Sequence, residues 1–197
     1  MNKRLIINDC KSNKLATAAT CIFMAVSAML LGLSILLFAS LCDSIDSLMA
    51  TAQTPDFLQM HTGEIDRAKL GDFADRQNYV EKMQVCTFLN LENGQIEIGD
   101  RSLTDNTQDN GLSCQSESFD FLLDADNNVI RPAAGEIYLP VCYRSEYDAK
   151  AGEAVRIGSD ELTIAGFLRD SQMNSMMASS KRFLVSETDF FMKKMIA

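Results

Sequence analysis

The stretch Leu15-Ala-Thr-Ala18-Ala-Thr-Cys21-Ile-Phe-Met-Ala25-Val-Ser-Ala28-Met-Leu-Leu-Gly32-Leu-Ser-Ile-Leu-Leu-Phe-Ala39-Ser-Leu41 runs for 27 residues without a charge, between Lys14 and Asp43. As a helix rising about 1.5 Å per residue it reaches about 40 Å, enough to span a hydrocarbon core of about 30 Å with some tilt. This reading places a transmembrane helix at 15–41 and divides the chain in two.

Charge divides at the same place. Lys3, Arg4, Lys11 and Lys14 against Asp9 give residues 1–14 a net +3; the whole chain carries −9, so residues 15–197 carry −12. The positive-inside tendency then keeps 1–14 in the cytoplasm and exports the rest to the outer side of the cell membrane. A signal peptide competes, because Ala50-Thr51-Ala52 has the small residues of a cleavage site. Its apolar core would be about twice the usual 7–15 residues, which favours an anchor that spans membrane lipid.

Beyond the run, about 155 residues from Asp43 to Ala197 suit one domain with a real apolar core. Its acidic surface argues against nucleic acid as a partner. Of six cysteines, Cys10 is cytoplasmic on this topology, Cys21 lies in the apolar run, Cys42 at its outer edge, and Cys86, Cys114 and Cys142 lie outside. No CxxC is present, so zinc and thioredoxin-like chemistry lack their ligand spacing. One disulfide among the three outer cysteines and free buried thiols are both compatible with the sequence.

Leu41, Ile45, Leu48 and Met49 continue a helical spacing, with no Gly or Pro before Pro55, and predict a stalk over 42–53 below an outer domain at 54–197. Within that domain Glu64–Asn78 reads as an amphipathic helix with Ile65, Leu70, Phe73 and Ala74 on one side, begun by Thr62 or Gly63. Val85, Thr87 and Leu89, the Glu92-Asn93-Gly94 turn, then Ile96 and Ile98 read as a hairpin. Leu103–Ser118 is polar and reads as a loop, and Phe119–Leu123 and Val129-Ile130 flank a turn at Asp124–Asn128. Further on, Glu136–Pro140 reads as a strand and Val141–Ala149 as a short helix. Val155 and Ile157 pair across Gly158-Ser159-Asp160 with Leu162 and Ile164, running on through Gly166-Phe167-Leu168. Arg182–Val185 is a strand, and Glu187–Ile196 a helix with Ser186 as N-cap. The fold class is α+β: one N-terminal transmembrane helix with a mixed α+β extracytoplasmic domain.

Few residues invite chemistry. His61 is the only histidine, which leaves no Ser/His/Asp set and few metal constellations. Asp124-x-Asp126-x-Asn128 imitates the start of a calcium loop, but Val129 stands where that loop needs Gly and Gly135 where it needs a bidentate Glu, so a solvated turn is favoured. Arg169–Met177 carries Met173, Met176 and Met177; packing is favoured over Cu(I) ligation, because no second soft cluster lies nearby. No phosphate-binding G-x-x-x-x-G-K-[ST] occurs. The sequence therefore predicts no catalytic, cofactor-binding or metal residue and no enzymatic activity. The candidate site is a packing face on the apolar run: Ala18, Ala25, Gly32 and Ala39 recur every seven residues, with Cys21 and Ala28 on the adjoining line. Small faces let helices approach closely in lipid, and a seven-residue period suits a left-handed crossing.

An N-terminal membrane helix followed by Gly135-Glu136-Ile137-Tyr138-Leu139-Pro140, Ala151-Gly152-Glu153-Ala154-Val155-Arg156-Ile157, Leu162-Thr163-Ile164-Ala165-Gly166-Phe167-Leu168-Arg169-Asp170 and Ser179-Ser180-Lys181-Arg182-Phe183-Leu184-Val185 resembles the FtsX-like (MacB-type) ABC transporter permeases. The order of elements, more than any one motif, carries the likeness. The resemblance implies a MacB-like core domain, a cytoplasmic ABC ATPase subunit as partner, and further permease helices or a second permease subunit beside this one. It implies export or mechanical transmission across the membrane, with no catalytic residue in this chain. Such permeases have more membrane helices after the outer domain, so the resemblance implies that these 197 residues are either the N-terminal part of a longer permease or the product of a broken reading frame. The alternatives are a single-pass protein whose outer domain binds a partner or senses a ligand, and an exported soluble enzyme cleaved near Ala52.

Overall fold

The computed structural model describes residues 12–175 and 177–196. Most of the expected cytoplasmic segment, Cys10 included, and Met176 lie outside the described residues. The chain forms two compact units, 1–47 and 48–197.

The described part of the first unit is helical. Helix α1, Lys14–Ala52, covers the apolar run and the expected stalk without a break, about 58 Å of helix. Among the described residues it is the one helix long and apolar enough to cross a membrane. Thr20 and Ser34 return their hydroxyls to the carbonyls of Ala16 and Leu30, so neither leaves an unpaired donor on the apolar surface.

The second unit is built on an eight-stranded mixed sheet in the order β1-β4-β8-β5-β7-β6-β2-β3. In chain order the strands are β1 Leu89–Asn90, β2 Ile96–Ile98, β3 Arg101–Ser102, β4 Asp109–Ser113, β5 Glu136–Pro140, β6 Ala154–Ile157, β7 Asp160–Leu168 and β8 Ser180–Val185. Among the described residues three helices complete the unit: α2 Arg67–Asp75, α3 Tyr143–Glu146 and α4 Glu187–Ile196. Pairs β4/β8 and β5/β7 are parallel and the other five antiparallel. The coarse α+β class is as expected.

Strand β8 is buried at all six positions. Because neighbouring side chains leave a strand on opposite faces, Phe183 and Val185 enter the larger core with Leu112, Ile137, Ile164 and Tyr143. Leu184 enters a smaller one with Leu122, Ile130 and Leu168. The β6–β7 hairpin closes through a two-residue turn in which Gly158 takes φ +63°, the left-handed backbone such turns require. At the N-terminus of α4, Ser186 Oγ accepts the Asp189 N–H at 3.2 Å, the cap read from sequence. Asp189 in turn accepts the Gly135 N–H at 2.9 Å, tying the helix to the turn before β5.

Three elements depart from the sequence reading. The 64–78 helix is reduced to Arg67–Asp75, with Asp66 as N-cap accepting from Lys69 N, and none of its residues is buried. Without a core to meet, its apolar side has nothing to extend it. The first hairpin does not form. Leu89 pairs with Leu112, Ile96–Ile98 pairs with β3 and β6, and Asn93–Gln95 is a 3-10 turn. Asn93 spends its amide on the carbonyls of Asn106 and Gln108, both at 2.8 Å, which turns the chain away from a hairpin.

The polar 103–118 loop holds strand β4, parallel to β8 and buried from Asn110 to Ser113. Its polarity is absorbed internally. Tyr143 donates its hydroxyl to Asn110 Oδ1 at 2.6 Å, and Asn110 Nδ2 donates to Asn93 Oδ1 at 2.7 Å. A Cβ at Gly111 would overlap the Phe88 ring and stand 2.8 Å from Leu89 O, so only glycine admits the close edge pairing with β1.

Candidate functional site

Helix α1 ends in a glycine-free version of a common helix stop. Gln53 takes φ +49°; its N–H reaches Ala50 O at 3.2 Å, and Thr54 N–H reaches Met49 O at 3.0 Å. These are the 5→2 and 6→1 bonds of a Schellman cap, followed by Pro55, which cannot continue the helix. Ala52 is fully buried, although most of the helix is exposed. Its carbonyl accepts from Phe121 N at 2.8 Å, and the Gln53 carbonyl accepts from Asp120 N at 3.0 Å. The last turn of the helix thus belongs structurally to the sheet domain.

Asp120 carries the connection inward. Arg182 Nη1 donates to Asp120 Oδ2 at 2.6 Å and Nη2 to Oδ1 at 3.3 Å, while Nε and Nη2 grip both oxygens of Asp170 at 2.6 and 2.7 Å. The three side chains are 9%, 5% and 2% exposed, a level at which charges persist only when paired and hydrogen-bonded. Asp170 Oδ1 also accepts from Gln172 N and Met173 N at 2.8 and 3.0 Å. Burial pushes the Asp170 carboxyl up, but the Arg182 bonds and charge with those two amides outweigh it, and the net is below the ordinary carboxylate range. For Arg182 the same contest ends with its pKa raised: burial opposes the charge, and Asp170, then Asp120, more than restore it.

The neighbouring strand residue fixes the same loop from the other side. Lys181, fully buried, donates Nζ to the carbonyls of Met173 and Ser175. A relay results: helix cap, Asp120, Arg182, Asp170 and the 170–175 turn.

The predicted site residues lie elsewhere. Ala18, Cys21, Ala25, Ala28, Gly32 and Ala39 are carried on α1, where a Cβ at Gly32 would meet nothing within 4 Å. His61 is exposed. Asp124 spends its carboxylate on the backbone of Asp126 and Asn128, both at 2.8 Å, the solvated turn expected. Met173 is buried and Met177 is exposed, so they do not share one environment. No group of three or more His, Cys, Asp or Glu able to hold a metal occurs among the described residues. A shallow polar depression of about 710 Å³ is lined by Ser102, Asp105, Asn106, Glu146, Tyr147 and Ser179 among others, with Asn106 Nδ2 donating to Tyr147 OH at 2.8 Å.

Sequence reading missed the Asp120–Arg182–Asp170 cluster. One signal was there: on the Arg182–Val185 strand a period of two puts Arg182 on the face of Leu184, an arginine at an inward position. Nothing in the pattern marked which carboxylates, 12 and 62 residues away, would meet it.

No family model matches the chain, and no curated protein and no solved structure matches it significantly.

Proposed function

We propose that α1 crosses a cell membrane with the basic 1–14 segment in the cytoplasm, and that the chain works as the outer-domain part of an FtsX-like ABC transporter permease. In that role it couples a cytoplasmic ATPase to export or to mechanical transmission. The observation that supports it best is the fastening of the last helical turn: Ala52 and Gln53 are bonded to Phe121 and Asp120, and Asp120 to the sheet through Arg182. A helix meant only as a tether needs no such attachment, whereas a helix that transmits displacement does. The strand ending in Pro140, the short α3, the β6–β7 pair and β8 also follow the element order on which the resemblance rests.

Membrane fractions carrying the full chain, crosslinked and purified, should yield an ABC ATPase subunit by mass spectrometry. Extraction by alkaline wash, or purification with no ATPase, overturns this reading. A second reading, an anchored domain that binds a partner, is favoured by the apolar side chains that residues 57–83 leave in solvent, among them Phe57 and Tyr79 at 79% and 76% exposure. Recovery of a different protein partner in the same experiment would select it.

A further inference from the structure

Cys86 and Cys114 stand on facing segments. β1 and β4 pair antiparallel with Leu89 opposite Leu112, and their extensions stay side by side. Cys86 Sγ lies 3.7 Å from Ser116 Oγ, Ser118 donates to Gln84 Oε1 at 3.1 Å, and Gln84 Nε2 donates to Phe119 O at 2.8 Å. Both cysteines therefore lie between two cross-links, the Leu89–Leu112 pair and the Gln84–Phe119 bond. Continuing the ladder would set Thr87 opposite Cys114, and the Cys86–Ser116 contact marks a one-residue drift beyond its end.

Continuing the ladder sets Cys86 opposite Gln115, and the drift makes Cys86 and Cys114 diagonal neighbours at about 7–8 Å, whereas a disulfide takes Cα atoms at about 4.4–6.8 Å, so the bridge requires the two segments to close up. The adjustment falls on the 80–88 segment, which belongs to no strand or helix. Both thiols are free; Cys86 is exposed, and Cys114 is partly covered and close enough to feel the Cys86 charge. Cys142 is the poorer partner, packed in the main core.

We propose that Cys86 and Cys114 form a thiol–disulfide switch that fastens the 80–88 segment to the sheet edge when the domain meets a disulfide oxidant. Cys86 Sγ gives its proton to solvent and, as thiolate, attacks one sulfur of the oxidant, expelling the other as thiolate. Cys114, deprotonated in turn, attacks Cys86 Sγ and expels the second oxidant thiolate. Two protein thiols lose two electrons and two protons, and the oxidant disulfide is reduced to two thiols. The reaction belongs to the domain itself and does not depend on a permease role, so its failure leaves that reading untouched.

The test is to incubate the full chain in detergent micelles with oxidised glutathione, digest it with trypsin and an Asp-specific protease, and map linked peptides by mass. A Cys86–Cys114 link is expected in the parent and in Cys142→Ser, and is absent in Cys86→Ser and Cys114→Ser. In the oxidised parent, tryptic cleavage after Lys82 should slow about tenfold, because the bridge removes the local opening that exposes the site. A stable glutathione adduct on Cys86, a link to Cys142, or no reaction at either cysteine overturns the proposal.

Discussion

Gln53 and Asp120, both with left-handed backbones at φ +49° and +56°, are joined by a 3.0 Å hydrogen bond from the Asp120 N–H to the Gln53 carbonyl. Neither is glycine, and a left-handed residue costs about 1–2 kcal/mol when it carries a Cβ. Two such residues in contact mean that the end of the long helix and the sheet domain hold each other in conformations neither would favour alone. Asp120 then repeats the attachment through its side chain, on Arg182.

Removing one partner of that cluster should be costly. Asp170→Ala strands the Arg182 guanidinium with Asp120 alone in a site closed to water, and is expected to destabilise the domain by about 3–5 kcal/mol. Urea unfolding followed by near-ultraviolet circular dichroism in detergent measures it; a change below about 1 kcal/mol would contradict the assignment of a buried, dependent charge.

The same carboxylate sets an acid limit. Because its folded pKa lies below the ordinary value of 3.8, the Asp170 contribution is fully present above about pH 4 and is lost as the pH falls through the depressed folded value. Stability measured from pH 6 down to pH 2 should therefore fall at the acid end. Asp170→Asn should start less stable and show a shallower fall; parallel curves would remove Asp170 from the cause.

Gly111→Ala should test the edge of the sheet. The new methyl would stand 2.8 Å from Leu89 O, backbone that cannot rotate away, so β1 must peel from β4 at a cost of about 1–3 kcal/mol. Hydrogen exchange at the Leu89 and Leu112 amides should accelerate well before the rest of the sheet. Uniform acceleration would place the strain elsewhere.

Cys114 should alkylate slowly at neutral pH. Burial first, then the charges of Glu187 and Cys86, push its thiol up to about 11, so the thiolate fraction rises about tenfold per pH unit until that value. Iodoacetamide rates from pH 7 to pH 11, read peptide by peptide, check this. A plateau below pH 9 would show a more acidic thiol.

Gly32→Leu should weaken helix association. On a small-residue face a leucine holds partner helices apart in lipid, so recovery of crosslinked partners should drop severalfold while membrane association persists. Equal recovery would exclude this face from packing.

Patterns that depend on neighbours in the chain were legible. The charge-free run, the unbroken continuation to Ala52, the Gly158-Ser159 hairpin, strand Glu136–Pro140 and the Ser186 cap all rest on contacts within a few residues, so composition and spacing reveal them. What escaped depends on pairings far apart in sequence. Asp109–Ser113 reads as a loop because a strand rich in Asp, Asn and Ser is normally solvated; it becomes buried only because Tyr143 and Asn93 satisfy Asn110, from 33 and 17 residues away. Ile96–Ile98 has a hairpin's alternation, yet its partners are β3 and β6, since edge order is settled by which apolar faces meet in the finished core. The charged cluster is the extreme case. One arginine and two aspartates are unremarkable along the chain, and only the fold brings them out of water together, where an unpaired charge would be too costly to keep.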